Sequence, residues 1–283
     1  MNRWIKTGAG HLLYRSAAYR QRWRDRALIV AFHRVDDRYP TDPITVTRAA
    51  LASYLDFFVS YFEVISLTEL LAKLAARADI SRNLVITFDD GYLDNWAVAA
   101  PELAARGLPA SFFISTGFIG TCRDAPWDAA RSVRSEWMTW DHVRDLRAAG
   151  FELGAHTISH VNLAVSDRQT ALREIAGSKS QLEAETNGTV RDFAYPFGGV
   201  DHMSTEYRDI VRQAGFSTCL SAHGGTVRHG ADPFRLRRLG VSPWFRSPYQ
   251  FGLECLTDAI TPNAAAQPFD REEEALLGLN PGR

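Results

Sequence analysis

Short apolar segments alternate with stretches of helical periodicity along most of the chain. The segments are rich in Val, Ile, Leu and Phe, as buried strands are, and cover residues 27–33, 84–90, 110–115, 151–156, 192–197, 217–221 and 234–241. This alternation is typical of βα units around a mostly parallel sheet. It predicts an α/β fold in the form of a distorted (β/α) barrel of about seven parallel strands, with an open doubly wound sheet as the alternative.

Two of the intervening stretches show clear helical patterns. In the first, Thr47 stands where an N-cap is expected, and apolar residues then recur every three or four positions: Leu51, Leu55, Phe58 and Phe62. In the second, a lysine alone interrupts the apolar face: Leu172, Ile175, Lys179 and Leu182. Gly107 and Gly150 precede the next strands and predict helix ends.

The two ends of the chain differ from its middle. Residues 1–26 predict a basic helical extension with seven Arg or Lys residues and one acid, Asp25. Such a helix can lie on an anionic membrane surface, or it can pack as a solvated helix on the flank of a domain. Residues 27–260 are the predicted main domain, in which 117–136 is expected to be a long loop. The polar, proline-containing residues 261–283 are expected to be a flexible tail.

Composition narrows the compartment and the partners. With 46% apolar and 23% charged residues in 283, the chain fits a globular protein. A net charge of −1 gives no basic field of the kind that nucleic acid requires, so no nucleic-acid partner is expected. Cys122, Cys219 and Cys255 form no disulfide or zinc-site pattern, and we find no secretory signal. We expect a cytoplasmic protein. A second possibility is a cytoplasmic protein that contacts the inner membrane face peripherally through its basic N-terminus.

Two adjacent carboxylates follow one apolar segment directly. Asp89 and Asp90 come after Thr87 and Phe88 and before Gly91 and Tyr92. At the carboxyl end of a buried strand, two neighbouring carboxylates need either a cation or a raised pKa. A metal ion on one of them meets that need, although a solvated Asp-Gly turn is the ordinary structural alternative.

A pair of histidines follows another predicted strand. His156 ends the segment 151–156, and His160 stands four residues later, a spacing that can bring two imidazoles to one face of a turn. Two histidines and one carboxylate leave a coordination position open for water, as catalytic rather than structural metal sites do. A capping or core role for the pair is the alternative. A third segment, 193–199, ends in a Pro/Gly turn that could present backbone N–H groups to an oxyanion.

Together these motifs resemble the polysaccharide deacetylase family, the carbohydrate esterases with a NodB-type domain. The resemblance covers residues 27–243, with TFDDGY, HTISH and AYPFG as its first, second and third motifs. It implies that Asp90, His156 and His160 bind a divalent metal, with zinc expected, and that Asp89 is the general base. It also implies that the N–H of Phe197 helps to bind the oxyanion.

The resemblance further suggests which residues contact a sugar. Trp140, in the MTWD segment before the second motif, is similar to the place from which an aromatic residue lines the groove in the family. Tyr92 and Tyr195, which stand within the first and third motifs, complete the predicted substrate contacts. Trp96 and Trp244 are further stacking candidates, and for all of these rings core packing is the alternative.

Two positions depart from the family pattern. Ala194 stands where many members carry an arginine that holds the catalytic aspartate, and we expect Arg238 to replace it from a later strand, with an ordinary ion pair as the alternative. The late strand also lacks the histidine that supplies the general acid. His33 ends the first strand, which a closed barrel would bring beside the last, so we predict His33 as the acid, with strand capping as the alternative.

The sequence therefore predicts removal of N-acetyl groups from amino sugars of a polysaccharide, an oligosaccharide or a carrier-linked precursor, as used in exopolysaccharide biosynthesis. O-deacetylation of a carbohydrate and hydrolysis of a small non-sugar amide are the enzymatic alternatives. A catalytically silent carbohydrate-binding domain is the alternative from another class. A binding module has no need of the uncompensated pair Asp89 and Asp90, which argues against that reading.

Overall fold

Seven parallel strands form one curled, half-barrel sheet in this computed structural model, which describes residues 2–199, 205–222 and 224–258. These strands are β1 (Ala27–Phe32), β5 (Asn83–Phe88), β6 (Ser111–Ile114), β7 (Glu152–Ala155), β8 (Asp192–Ala194), β9 (Thr218–Leu220) and β10 (Leu239–Gly240). Their order in the sheet is β10-β1-β5-β6-β7-β8-β9. The short β4 (Glu63–Val64) also pairs with β5, and β2 (Arg34–Val35) and β3 (Thr45–Val46) form a separate parallel pair. The predicted fold of about seven parallel strands is confirmed.

The pairing of β1 with β5 fixes the centre of the sheet. Every residue of β1 has a partner in β5, from Ala27 opposite Asn83 to Phe32 opposite Phe88. Both strands are buried along their whole length, which explains why each is continuously apolar rather than alternating. Because the two strands run parallel and in register, the residues that follow them, His33 and Asp89, emerge at the same edge of the sheet.

The last strand nearly closes the sheet on itself. Leu236 forms a bridge to Leu220 at the end of β9, and three residues later Leu239 pairs with Val30 of β1. The segment between these contacts therefore crosses from the last strand of the sheet to the first. The predicted strand 234–241 is shorter than expected, because Pro233–Arg235 forms a 3-10 turn and only Leu239–Gly240 pairs as a strand.

Helices surround this sheet. They are α1 (Arg3–Arg15), α2 (Ala18–Arg22), α3 (Arg48–Tyr61), α4 (Leu67–Ala76), α5 (Ala100–Ala104), α6 (Pro126–Ala130), α7 (Trp140–Ala148), α8 (Arg168–Thr186), α9 (Thr205–Gln213) and α10 (Pro248–Asp258). The predicted cap of α3 is confirmed, since the Thr47 side chain accepts a hydrogen bond from the Ala50 amide at 3.1 Å. Gly107 and Gly150 follow α5 and α7 with φ of +63° and +88°, as helix-ending glycines do.

The segment 117–136 is more ordered than a plain loop. It contains α6, whose Trp127 and Asp128 are buried at 4% and 0% exposure. The predicted long loop therefore contains one short helix, whose Asp128 side chain makes buried polar contacts.

The N-terminal segment is helical and packs on the flank of the domain. It consists of α1 and α2, and the inner face of α1 packs against α10. In the part of the chain that the structure describes, we find no helix long and apolar enough to cross a membrane. The predicted tail, 261–283, lies outside the described residues.

Candidate metal centre and active site

A pocket opens at the carboxyl edge of the sheet, where the sequence predicts the metal ligands and the general base. Its volume is about 640 Å³ including the mouth. It is lined by Ala31, His33, Ile44, Asp89, Asp90, Trp127, His156, His160, Tyr195, Phe197, Ala222, Gly240, Val241 and Ser242. Residues from six strand ends and from the segment 117–136 thus meet in a single cavity, although they are far apart in sequence.

Asp90, His156 and His160 converge at the base of this pocket. One ligand atom from each lies within 4.8 Å of the other two, and all three residues are buried. The Nε2 atoms of His156 and His160 lie 3.4 Å and 3.3 Å from Asp90 Oδ1. Asp90 and His160 both have left-handed backbone, with φ of +75° and +52°, so the sharp turns after β5 and β7 aim these side chains inward.

The donor set fits a divalent metal ion. The ring of His156 donates from Nδ1 to the Ala194 carbonyl at 2.8 Å, and this tautomer leaves a lone pair on Nε2 facing Asp90. Asp90 Oδ1 is buried and accepts no hydrogen bond from the described residues. Burial lowers the pKa of His160 to about 3, which keeps this ring in the neutral form that binds metals. A buried carboxylate oxygen facing two imidazole lone pairs is costly unless a cation stands among them.

Asp89 is held by Arg238. The guanidinium donates to both carboxylate oxygens, from Nη1 and Nη2, at 2.7 Å each, and both side chains are essentially buried. Arg238 is itself fixed, because its Nε donates to the Ser221 carbonyl at 2.6 Å and its Nη1 to the Thr87 hydroxyl at 3.0 Å. Burial acts to raise the pKa of Asp89, but the charge and hydrogen bonds of Arg238, together with His156 and His33, outweigh it. The pKa of Asp89 therefore lies below its ordinary value, and the carboxylate is ionised at neutral pH. The structure thus brings Arg238 into contact with Asp89, as the sequence predicts for a chain with Ala194 in the third motif.

His33 also lies beside Asp89. Its Nε2 is 4.0 Å from Asp89 Oδ2, and 17% of its side chain is exposed to the pocket. The Asn95 amide donates to the His33 carbonyl at 2.7 Å and fixes the backbone there. Burial lowers the pKa of His33 below its ordinary value, so the ring is neutral at pH 7.

Trp127 is a pocket residue that the sequence did not predict. Its ring centroid lies 4.2 Å from that of the metal-ligand candidate His160, and its indole N–H donates to the Tyr92 hydroxyl at 2.8 Å. Tyr92 in turn donates to Asp128 at 3.0 Å. The only sequence signal that could have found Trp127 is an aromatic residue beside an acid in a segment otherwise expected to be loop.

A buried ion network supports this arrangement. The carboxylate of Asp128 accepts hydrogen bonds from Arg34 and, at 2.6 Å, from the Ser135 hydroxyl. Arg34 also donates to Asp42 at 3.2 Å, and Arg131 lies 2.7 Å from the other Asp42 oxygen. Two cations and two anions therefore neutralise one another beneath the pocket, which makes their burial tolerable.

Tyr92 belongs to this network and not to the pocket surface. It is fully buried, stacks on Trp137 with centroids 4.7 Å apart, and is absent from the pocket lining. A ring with no exposed surface cannot stack on a sugar, so its placement does not support the predicted substrate contact. Its hydroxyl instead joins Trp127 to Asp128.

The other predicted aromatic residues fall into two groups. Tyr195 and Phe197 line the pocket, and Phe197, with φ of +62°, places its ring centroid 5.0 Å from that of His160. Trp140 begins α7 and packs, partly buried, against the core, outside the pocket lining. Trp96 stacks on His142 of α7, and Trp244 lies on the outer surface against Arg3. The structure therefore does not bring Trp140, Trp96 or Trp244 to the pocket.

Comparisons with known proteins point to one family. The sequence profile of the polysaccharide deacetylase family matches residues 77–219, about half of the chain. The Bacillus subtilis (strain 168) protein YxkH, provisionally named a polysaccharide deacetylase, is 25% identical over 160 residues. That alignment covers 56% of this chain and 52% of YxkH, so the chain spans about half the length of this curated relative.

Solved structures share the fold. IcaB from Ammonifex degensii superposes with a TM-score of 0.67 at 22% identity, over 82% of this chain and 97% of that one. The Streptococcus pyogenes deacetylase PplD, solved in complex with acetate, gives the same TM-score at 18% identity, over 82% of this chain and 98% of that one.

Proposed function

The chain belongs to the polysaccharide deacetylase family, and we propose that it is a metal-dependent hydrolase that removes the N-acetyl group from an amino sugar of a polysaccharide, an oligosaccharide or a carrier-linked precursor. Membership of the family implies hydrolysis of acetyl groups on carbohydrate. The N-acetyl bond, the metal and the residue roles below are the parts that we propose.

One observation carries the proposal. A three-residue ligand set, Asp90, His156 and His160, lies beside an arginine-bound carboxylate, Asp89, and a pocket-facing imidazole, His33, in one cavity of about 640 Å³. The set offers a metal two nitrogen donors and one oxygen donor, which suits zinc. A divalent ion held there would supply Lewis acidity and a water of lowered pKa near neutral pH.

Asp89 is the proposed general base. It is ionised, and its position next to Asp90 in the chain places it beside the ligand set, where it can take a proton from the water that attacks the acetyl carbon. Arg238 is the proposed positioning residue. Its bidentate contact fixes the plane of the Asp89 carboxylate and keeps the pKa of that carboxyl low. Asp89 is therefore unprotonated before the reaction begins and can accept a proton.

His33 is the proposed general acid. When the carbon–nitrogen bond breaks, the leaving amine needs a proton, and the acetyl carbon keeps the oxygen of the attacking water as acetate. A neutral His33 must first gain that proton, and Asp89, which has just received one, lies 4.0 Å from its Nε2. We therefore propose that the proton passes from Asp89 through His33 to the amine. The backbone N–H of Phe197 remains the proposed oxyanion donor at the pocket wall. Tyr195 lines the same wall, but its side chain is only 1% exposed, so we do not retain its ring as a substrate contact.

Acetate release tests this proposal. Zinc-loaded wild type is compared with Asp89→Asn, His33→Gln and His156→Ala on N-acetylglucosamine oligomers and on an O-acetylated sugar ester. The exposed His229 provides a matched control as His229→Ala. We expect release from the amide to fall by about 10²- to 10⁴-fold in Asp89→Asn and His33→Gln, with metal content unchanged.

Each outcome separates the alternatives. Loss of both metal and activity in His156→Ala, with His229→Ala unaffected, supports the ligand assignment. Release from the ester alone would reassign the protein as an O-acetyl esterase. No release from either substrate and no bound metal in the wild type would contradict the proposal and favour a silent carbohydrate-binding domain.

A further inference from the structure

The solvent face of α1 is apolar. Trp4, Ile5 and Leu12 are 65%, 60% and 74% exposed, and helical geometry places them on one side of α1 together with the small residues Gly8 and Ala9. A helix on the flank of a globular domain ordinarily turns such side chains inward and its polar side outward. In α1 this order is reversed.

Packing against α10 prevents α1 from turning this face inward. Gly10 lies so close to α10 that a Cβ atom there would overlap the Tyr249 carbonyl oxygen. Tyr14 is 2% exposed and donates from its hydroxyl to the Gly252 carbonyl at 3.1 Å. These contacts use the side of α1 opposite Ile5 and Leu12, so the apolar side must face outward.

A neighbouring loop extends the same surface. Trp244 is 43% exposed, and the guanidinium of Arg3 stacks on its ring at 4.1 Å. Arg246 stacks on Trp4 at 4.2 Å. We call the four apolar residues the outer patch: Trp4, Ile5, Leu12 and Trp244. Arginines are therefore interleaved with the tryptophans of the patch.

The surroundings of the outer patch are basic. Residues 2–24 include six Arg or Lys residues and no Asp or Glu: Arg3, Lys6, Arg15, Arg20, Arg22 and Arg24. Lys6 pairs with Glu254 on α10 at 2.9 Å, while Arg15, Arg20 and Arg22 are exposed. Exposed Trp and Leu with arginines at their margin match the interface of an anionic bilayer, which takes the rings at headgroup depth and attracts the bases.

We propose that the outer patch docks this protein on the surface of an anionic phospholipid bilayer. The charge of the surrounding helices favours this partner over a second copy of the chain, because two copies meeting at this face would bring their basic residues together. The pocket is close along the chain, since Ser242 lines it and Trp244 stands two residues later. The docking surface is independent of the proposed acetyl hydrolysis, because no residue of the patch belongs to the ligand set or lines the pocket.

Vesicle flotation tests the proposal with the full chain. The probes are phosphatidylcholine vesicles with and without phosphatidylglycerol, at low and at raised sodium chloride. We expect binding only to the anionic vesicles, and weaker binding as salt increases. The triple variant Trp4→Ser/Ile5→Ser/Leu12→Ser should bind on the order of 100-fold more weakly. Arg15→Gln/Arg20→Gln should bind roughly 25-fold more weakly, since each base near such a surface contributes about fivefold.

Val165 supplies the matched control. It is 71% exposed but lies outside the outer patch, so Val165→Ser should bind vesicles like the wild type. Failure of the wild type to bind anionic vesicles would overturn the proposal, as would equal loss of binding in Val165→Ser and the triple variant. A dimer in solution that the triple variant dissolves, without vesicle binding, would instead assign the patch to self-association. Acetate release from a soluble oligomer should be unchanged in the triple variant, so this result stays separate from the test of catalysis.

Discussion

Replacement of Arg238 by methionine should expose how much the fold depends on one buried ion pair. Methionine keeps much of the side-chain length and removes the charge. It deletes two charge-assisted hydrogen bonds to Asp89 and the bonds to the Ser221 carbonyl and the Thr87 hydroxyl. Asp89 is then a buried carboxylate, 2% exposed, without its principal cation.

The expected cost follows from two routes that agree. Breaking a buried ion pair by removing one partner costs about 3–5 kcal/mol. If Asp89 instead takes up a proton, a carboxyl with an ordinary pKa near 4 costs about 4 kcal/mol to protonate at pH 7. We therefore expect Arg238→Met to lower the free energy of unfolding by about 4 kcal/mol. Acetate release should fall at least ~100-fold, because the base is then protonated or displaced.

Urea unfolding followed by tryptophan fluorescence measures the first effect, with metal removed from every sample. The exposed neighbour Arg237 gives the control variant Arg237→Met, which should change the free energy of unfolding by less than about 0.5 kcal/mol. The cycle is completed by Asp89→Asn and by the double variant Asp89→Asn/Arg238→Met. The double variant should be about 2–3 kcal/mol more stable than the sum of the single effects predicts. Additive effects, or equal losses in Arg237→Met and Arg238→Met, would refute the account of this pair.

Three further results are expected. Tyr92→Phe removes the hydroxyl that accepts from Trp127, so the free energy of unfolding should fall by about 1–3 kcal/mol and zinc should bind about tenfold more weakly by chelator competition. Tyr54→Phe is its control, since the buried Tyr54 hydroxyl has no hydrogen-bond partner among the described residues, and equal effects would contradict the role of Tyr92. Burial raises the pKa of Asp192 to about 6, so the folded state holds its proton longer than the unfolded state. The stability of wild type relative to Asp192→Asn should therefore decline by about 2–3 kcal/mol as pH rises from 4 to 7, and a flat difference would exclude this reading. Excess zinc should raise the melting temperature of wild type and leave that of His160→Ala unchanged, while equal shifts would show that zinc binds elsewhere.

The sequence by itself was sufficient for the fold class and for the grouping of Asp90, His156 and His160. Strands buried on both faces leave continuous apolar segments, and parallel strands bring the residues that follow them to one edge, so Asp90 and His156 could be placed together from local pattern alone. His160 followed from its spacing to His156. The apolar strand segments and the spacing of the two histidines each span only a few residues, so they can be recognised in the sequence without the tertiary structure.

Contacts between distant segments required the tertiary structure. The sequence left two alternatives for the role of Arg238, a contact with Asp89 or an ordinary ion pair. Its bidentate contact with Asp89 depends on how the segment between β9 and β1 crosses the sheet. Trp127 was not predicted, although it lines the pocket, and Tyr92 was predicted as a sugar contact, although it is fully buried. Whether an aromatic ring is buried or exposed depends on its contacts with other segments of the chain. A side chain's chemistry can be read along the chain, but its partner across the fold is set by strand order and packing, which no local period encodes.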